Sequence, residues 1–147
     1  MSKILLDTNF IISLLLENND KHDRSIELKN DGIFENECYV TNLVIQELFT
    51  VLGMLTKDST YVMQAYHMVK DNFIIIDEYN IDKFNDKVAT IYQEYNTKLS
   101  FVDSSLIKVL ISFGNKKVWP IVSSRKTINN KTIKYILLYN IFIQDYI

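Results

Sequence analysis

Three carboxylates stand where the surrounding pattern gives them chemistry to do. Asp7 ends the apolar run Ile4-Leu5-Leu6 and precedes a second apolar stretch from Phe10, so a strand hands over to a helix at that point. In an open α/β sheet this is the carboxyl end of a strand, where ligands collect. Glu47 lies among apolar residues, next to Ile45, Leu48 and Phe49. A lone carboxylate there is costly unless a cation or a hydrogen-bond donor meets it. Asp103 opens a helix in Leu99-Ser100-Phe101-Val102-Asp103-Ser104-Ser105-Leu106-Ile107. Oxygen ligands in a partly open cluster suit magnesium or manganese. Each acid also has a plainer reading. Asp7 and Asp103 can cap the helices that follow them, and Glu47 can face outward beside Gln46 or Thr50.

The elements that must position these acids alternate along the chain. Strands are expected at Lys3–Leu6, Glu37–Thr41, Phe73–Ile76 and Val118–Ser123. The first and third are continuous apolar runs of the kind buried on both faces of a parallel sheet. Helical spacing marks Phe10–Glu17, Arg24–Ile33, Asn42–Leu55, Ser59–Asp71, Asp82–Asn96 and Asp103–Phe113, the last stopped by Gly114. Such alternation predicts an α/β fold with a central, mostly parallel sheet flanked by helices. The tail Thr132–Ile147 is rich in isoleucine and tyrosine and reads either as a helix with an edge strand or as a partner-binding element.

Composition sets the outer bounds. A chain of 147 residues, 48% hydrophobic and 23% charged, fits one globular domain spanning 1–147. Three glycines and one proline leave little room for linkers. Met1-Ser2-Lys3 leads straight into the first expected strand and does not resemble a secretory signal, and no apolar stretch approaches the roughly 20 residues that span a bilayer. The expectation is a cytoplasmic protein with no membrane contact. The single cysteine, Cys38, rules out an internal disulfide and reads as core filler. His22 and His67 read as surface or boundary residues, too few for a histidine-rich metal site. The net charge of -2 hides an asymmetry. Between Lys98 and Lys134, eight basic residues face one acid, a net of +7 that leaves -9 for the rest. This predicts either a basic face or solvated lysines on helix surfaces.

Taken together, Ile4-Leu5-Leu6-Asp7-Thr8-Asn9, Thr41-Asn42-Leu43-Val44-Ile45-Gln46-Glu47-Leu48 and the segment around Asp103 resemble the PIN-domain nucleases, especially the VapC-type toxins of prokaryotic toxin–antitoxin pairs. The resemblance runs from about Lys3 to Ser124, and it rests on the order and placement of the pieces. It implies a single PIN-like domain in which Asp7, Glu47 and Asp103 hold Mg²⁺ or Mn²⁺ for hydrolysis of RNA phosphodiester bonds. It implies further that Asn9, Ser123, Arg125 and Lys126 contact substrate, that an antitoxin protein is the partner, and that the chain forms a homodimer.

One departure matters. The family usually carries a fourth acid after the next strand, in a Thr-x-Asp pattern. Here Ser123-Ser124-Arg125 puts an arginine at that position. The change weakens the case for a second metal and leaves open an inactive copy that only binds RNA or protein. Pro120 within the same expected strand removes a ladder donor. Other nucleotide and phosphate chemistries fit less well. A haloacid-dehalogenase-type phosphatase wants a second acid where Asn9 stands, and a P-loop or Rossmann binder needs glycines that Asp7-Thr8-Asn9 lacks.

Overall fold

A computed structural model describes residues 3–112 and the strand at 118–121. Four strands, β1 (Lys3–Leu6), β2 (Glu37–Thr41), β3 (Ile74–Ile76) and β4 (Val118–Ile121), form a sheet in the order β3-β2-β1-β4. Every pairing among them is parallel, with Ile4 opposite Cys38, Thr41 opposite Ile76 and Leu6 opposite Ile121. Among the described residues, six helices accompany the sheet: α1 (Thr8–Leu15), α2 (His22–Asn30), α3 (Asn42–Thr56), α4 (Ser59–Asn72), α5 (Phe84–Glu94) and α6 (Phe101–Ser112). This is the expected α/β architecture, with a helix or helix pair crossing between parallel strands.

The core forms where strand and helix patterns agree. β1 lies between β2 and β4, and Ile4, Leu5 and Leu6 are all buried. Fully burying one such side chain contributes about 1.5–3 kcal/mol. They join Phe10, Ile11 and Ile12 of α1, Val44, Leu48 and Leu52 of α3, Val62 and Val69 of α4, and Leu106 and Val109 of α6 in one cluster. A smaller cluster, Ile91, Tyr95, Leu99 and Ile107, fastens α5 to α6. Cys38 is buried with its thiol facing the Ile33 carbonyl at 3.8 Å, and burial pushes its pKa up to about 11, as suits core filler. His67 is exposed, while His22 is half-buried with Nδ1 2.8 Å from the Ser13 carbonyl oxygen.

Element ends depart from the sequence expectation where backbone geometry decides them. Helix α1 begins at Thr8, two residues before Phe10, because Asp7 is extended (φ -94°, ψ 156°) and its carbonyl accepts from the Ile11 amide. Helix α2 stops at Asn30 and does not run on to Ile33, since Gly32 turns left-handed at φ +87°. Glycine adopts that conformation without a Cβ clash. Ile33–Glu35 forms a short 3-10 turn instead. Helix α5 is shortened at both ends by positive φ at Lys83, Asn96 and Thr97.

Strand β3 corrects a second expectation. Its apolar run is not buried on both faces, for Ile74 and Ile75 are 45% and 38% exposed. Among the described residues the strand is the last in the sheet order, with a neighbour on one side only. At the other end of the described sheet, Pro120 pairs in register with Leu5, a position at the sheet margin where a missing N–H is tolerated. Strand β4 is described over Val118–Ile121, and Val122 and Ser123 of the expected strand lie outside the described residues. The tail from Thr132, and Gly114, lie outside the described residues.

The start of α3 is unusually well anchored. The Thr41 hydroxyl accepts from the Val44 amide at 3.2 Å. The two preceding amides, Asn42 and Leu43, donate to the two carboxylate oxygens of Glu78 at 3.0 and 3.2 Å. Three of the four amides that a helix leaves without internal partners are thereby met. Glu78 is completely buried and stands just past β3, in the turn leading to α5.

Candidate active site

Asp7 follows the central strand directly, and that placement buries it. Its side chain is 2% exposed although it is an acid. It occupies the N-cap position of α1 but makes no side-chain cap hydrogen bond, and its Oδ2 is buried without a hydrogen-bond partner. The plainer capping role is therefore not what holds it there. Burial, then the negative charges of Asp103 and Glu47, push its pKa from 3.8 up to about 7, against the weaker opposing pull of the Thr8 and Asn9 amides. Both side-chain charges acting on Asp7 are negative.

Glu47 is half-buried in the second turn of α3, so the anchoring of that helix start sets its position. Its Oε2 accepts a 2.6 Å hydrogen bond from the Thr8 hydroxyl. Thr8 itself is 1% exposed. The bond joins the residue after Asp7 to an acid on another helix and draws the Glu47 carboxylate toward the end of β1. Donation to a carboxylate is among the stronger hydrogen bonds.

Asp103 lies in the first turn of α6, not at its opening. The Ser100 hydroxyl accepts from the Asp103 amide at 3.0 Å, and Asp103 Oδ2 accepts from the Ser100 amide at 3.4 Å. This reciprocal pair is a capping box, which explains why α6 starts at Phe101, ahead of the expected Asp103. Asp103 is half-buried. It therefore caps its helix and also presses its charge on Asp7.

Asn9 is exposed on the first turn of α1, two residues beyond Asp7. Ser123, Arg125 and Lys126 lie outside the described residues. So does most of the basic interval, of which Lys98 is exposed and Lys108 half-buried. Sequence reasoning did not single out Thr8 or Glu78. The signal for Thr8 was a hydroxyl directly after the strand-end acid. Nothing local marked Glu78, whose partners stand 35 and 36 positions earlier.

The arrangement gathers three acids from β1, α3 and α6, one of them with an unmatched buried oxygen. Among the described residues, no group of three or more His, Cys, Asp or Glu side chains could hold a metal ion as it stands. The donors nevertheless fit a hard divalent cation. Carboxylate oxygens are its preferred ligands, and a positive charge would relieve both the orphaned Asp7 oxygen and the repulsion among the acids.

The PIN domain model matches residues 4–118 of the chain. No curated protein matches it. Among solved structures, the chain is similar to Mycobacterium tuberculosis VapC20, described as a sarcin–ricin loop cleaving toxin. The two share 15% sequence identity and superpose with a TM-score of 0.66, covering 82% of this chain and 91% of that one. At that identity the likeness speaks for the fold.

Proposed function

We propose that this chain, which belongs to the PIN domain family, is a divalent-metal-dependent endoribonuclease acting as the toxin of a toxin–antitoxin pair. The observation that carries the reading is the buried Asp7 carboxylate, left without a partner at Oδ2 and pressed by two further acids. Structural acids are normally paired or hydrogen-bonded when buried. An arrangement that raises a carboxylate pKa to about 7 in the absence of a cation is more costly than a fold alone requires.

Asp7 and Asp103 would hold Mg²⁺ or Mn²⁺ directly, with Glu47 completing the set or orienting the attacking water. The bound ion supplies an acidified water and stabilises charge on the phosphate and the leaving oxygen. Thr8 holds Glu47 in one orientation by its 2.6 Å hydrogen bond. Burial of Asp7 excludes competing water from its side of the site. Asn9, exposed two residues beyond Asp7, would contact substrate. Ser123, Arg125 and Lys126 are carried as further substrate contacts, with Arg125 suited to a phosphate by its planar fork.

RNA is the substrate in this reading, an antitoxin and a second copy of the chain are the partners, and the cytoplasm is the compartment. The likeness to VapC20, described as a sarcin–ricin loop cleaving toxin, supports RNA as the substrate class. No described helix is long and apolar enough to cross a membrane. The test is cleavage of total cellular RNA with Mg²⁺ or Mn²⁺, compared between the wild type and Asp7→Asn. Metal-dependent cleavage that Asp7→Asn abolishes supports the reading. A folded wild-type protein that cleaves nothing with either ion, yet retains RNA, overturns it in favour of an inactive binding domain.

A further inference from the structure

We propose that Glu78 is a positioning residue for Glu47, acting through the N-terminus of α3; the proposal rests on the nuclease reading above. Glu78 is 0% exposed, and both its oxygens are used: one accepts from the Asn42 amide at 3.0 Å, the other from the Leu43 amide at 3.2 Å. The Asn42 side chain reaches back to the Ile76 carbonyl at 3.4 Å. Three contacts thus tie the end of β3 and Glu78, two residues beyond it, to the first turn of α3. A carboxylate at that end of a helix also opposes the positive pole of the helix dipole.

What this anchoring controls follows from chain geometry. Glu47 stands in the second turn of the same helix, one turn beyond the clamped amides. A helix moves as a rigid unit at this scale, so the direction and height of its first turn set where Glu47 projects. The Thr8 hydroxyl then meets Glu47 at 2.6 Å, a distance that tolerates little displacement of α3. The Thr41 cap fixes the helix start to its own strand. Glu78 fixes it to the turn after the neighbouring strand, beyond the register pair of Thr41 with Ile76. Without the clamp, two half-buried amides lose their acceptors and the first turn is free to fray or tilt. The buried acid that touches no reacting group thereby governs one that does.

The test is Mn²⁺ affinity of the RNA-free protein by calorimetry, in wild type, Asp7→Asn, Glu78→Gln, Glu78→Asp and Leu52→Val. Glu78→Gln keeps the shape and loses one acceptor. Glu78→Asp keeps the charge and withdraws the carboxylate by one methylene, and serves alone where Gln prevents folding. Leu52, fully buried later in α3, supplies a packing defect without touching the clamp. Removing the support of a metal-site residue costs 10–100-fold in affinity, and about tenfold is expected for Glu78→Gln and for Glu78→Asp, with Leu52→Val binding as wild type. Glu78 variants that bind Mn²⁺ as wild type while unfolding more readily overturn the proposal, and so does a loss confined to Gln, which would report charge and not placement. Wild-type protein that binds no Mn²⁺, or whose binding survives Asp7→Asn, overturns the nuclease reading itself and the proposal with it.

Discussion

Replacing Asp7 with asparagine should make the metal-free protein more stable at neutral and alkaline pH, although it removes a group from the candidate site. The folded-state pKa of Asp7 is raised from 3.8 to about 7, chiefly by burial and then by Asp103 and Glu47. The native state therefore holds its proton more tightly than the unfolded chain. Stability from this group is complete below pH 3.8 and is lost as pH rises through about 7. A shift of roughly three units at 1.36 kcal/mol each amounts to about 4 kcal/mol of destabilisation by pH 8. Asparagine carries no charge at any pH and keeps an acceptor oxygen, so it escapes that cost. The gap between Asp7→Asn and wild type should be about 4 kcal/mol at pH 8, shrink through pH 5, and fall below about 1 kcal/mol at pH 4. Urea unfolding in EDTA across this pH range measures it directly. Adding Mn²⁺ at pH 8 should then raise the wild type toward the variant and leave the variant unmoved. A variant less stable than wild type at pH 8, or a gap that does not change with pH, would refute the picture of an uncompensated buried charge.

Two further substitutions probe single contacts. Thr8→Val preserves shape in a buried position but removes the donor to Glu47, so Mn²⁺ affinity should fall about tenfold while the fold survives; unchanged binding in calorimetry would show that the bond does not orient Glu47. Gly53 lies inside α3 with nothing within 4 Å of an added Cβ, so Gly53→Ala should stabilise the chain by about 0.5–1 kcal/mol in urea unfolding, and a loss of stability would contradict the open space there.

Much of this architecture is legible in the sequence because local pattern and global fold agree. β1 and β2 occupy the residues their apolar runs mark, and α3 and α4 follow their helical spacing to within a residue. Legibility fails where one backbone angle decides. Gly32 ends α2 early, and Asn96 and Thr97 cut α5 short, neither of which a periodicity can show. It fails again at β3, whose three isoleucines read as a central strand but occupy the sheet margin. Run content reports hydrophobicity and not strand order. At the site, the placement of Asp7 after a strand and Glu47 among apolar residues was visible from residue type alone. The Thr8–Glu47 bond and the Glu78 clamp were not, because each joins segments more than thirty residues apart.

The three acids arrive from the beginning, the middle and the far part of the described chain: Asp7 with the first strand, Glu47 with the helix after the second, Asp103 with α6. Synthesis runs in that same order, so a growing chain carries the first two long before the third exists. Even a released chain lacks the assembled cluster until α6 has settled against α5 and β4. Contacts this distant in sequence form late, since closing the loops between them costs entropy before any packing is gained. On the reading proposed above, the cation site is therefore complete only when the fold is.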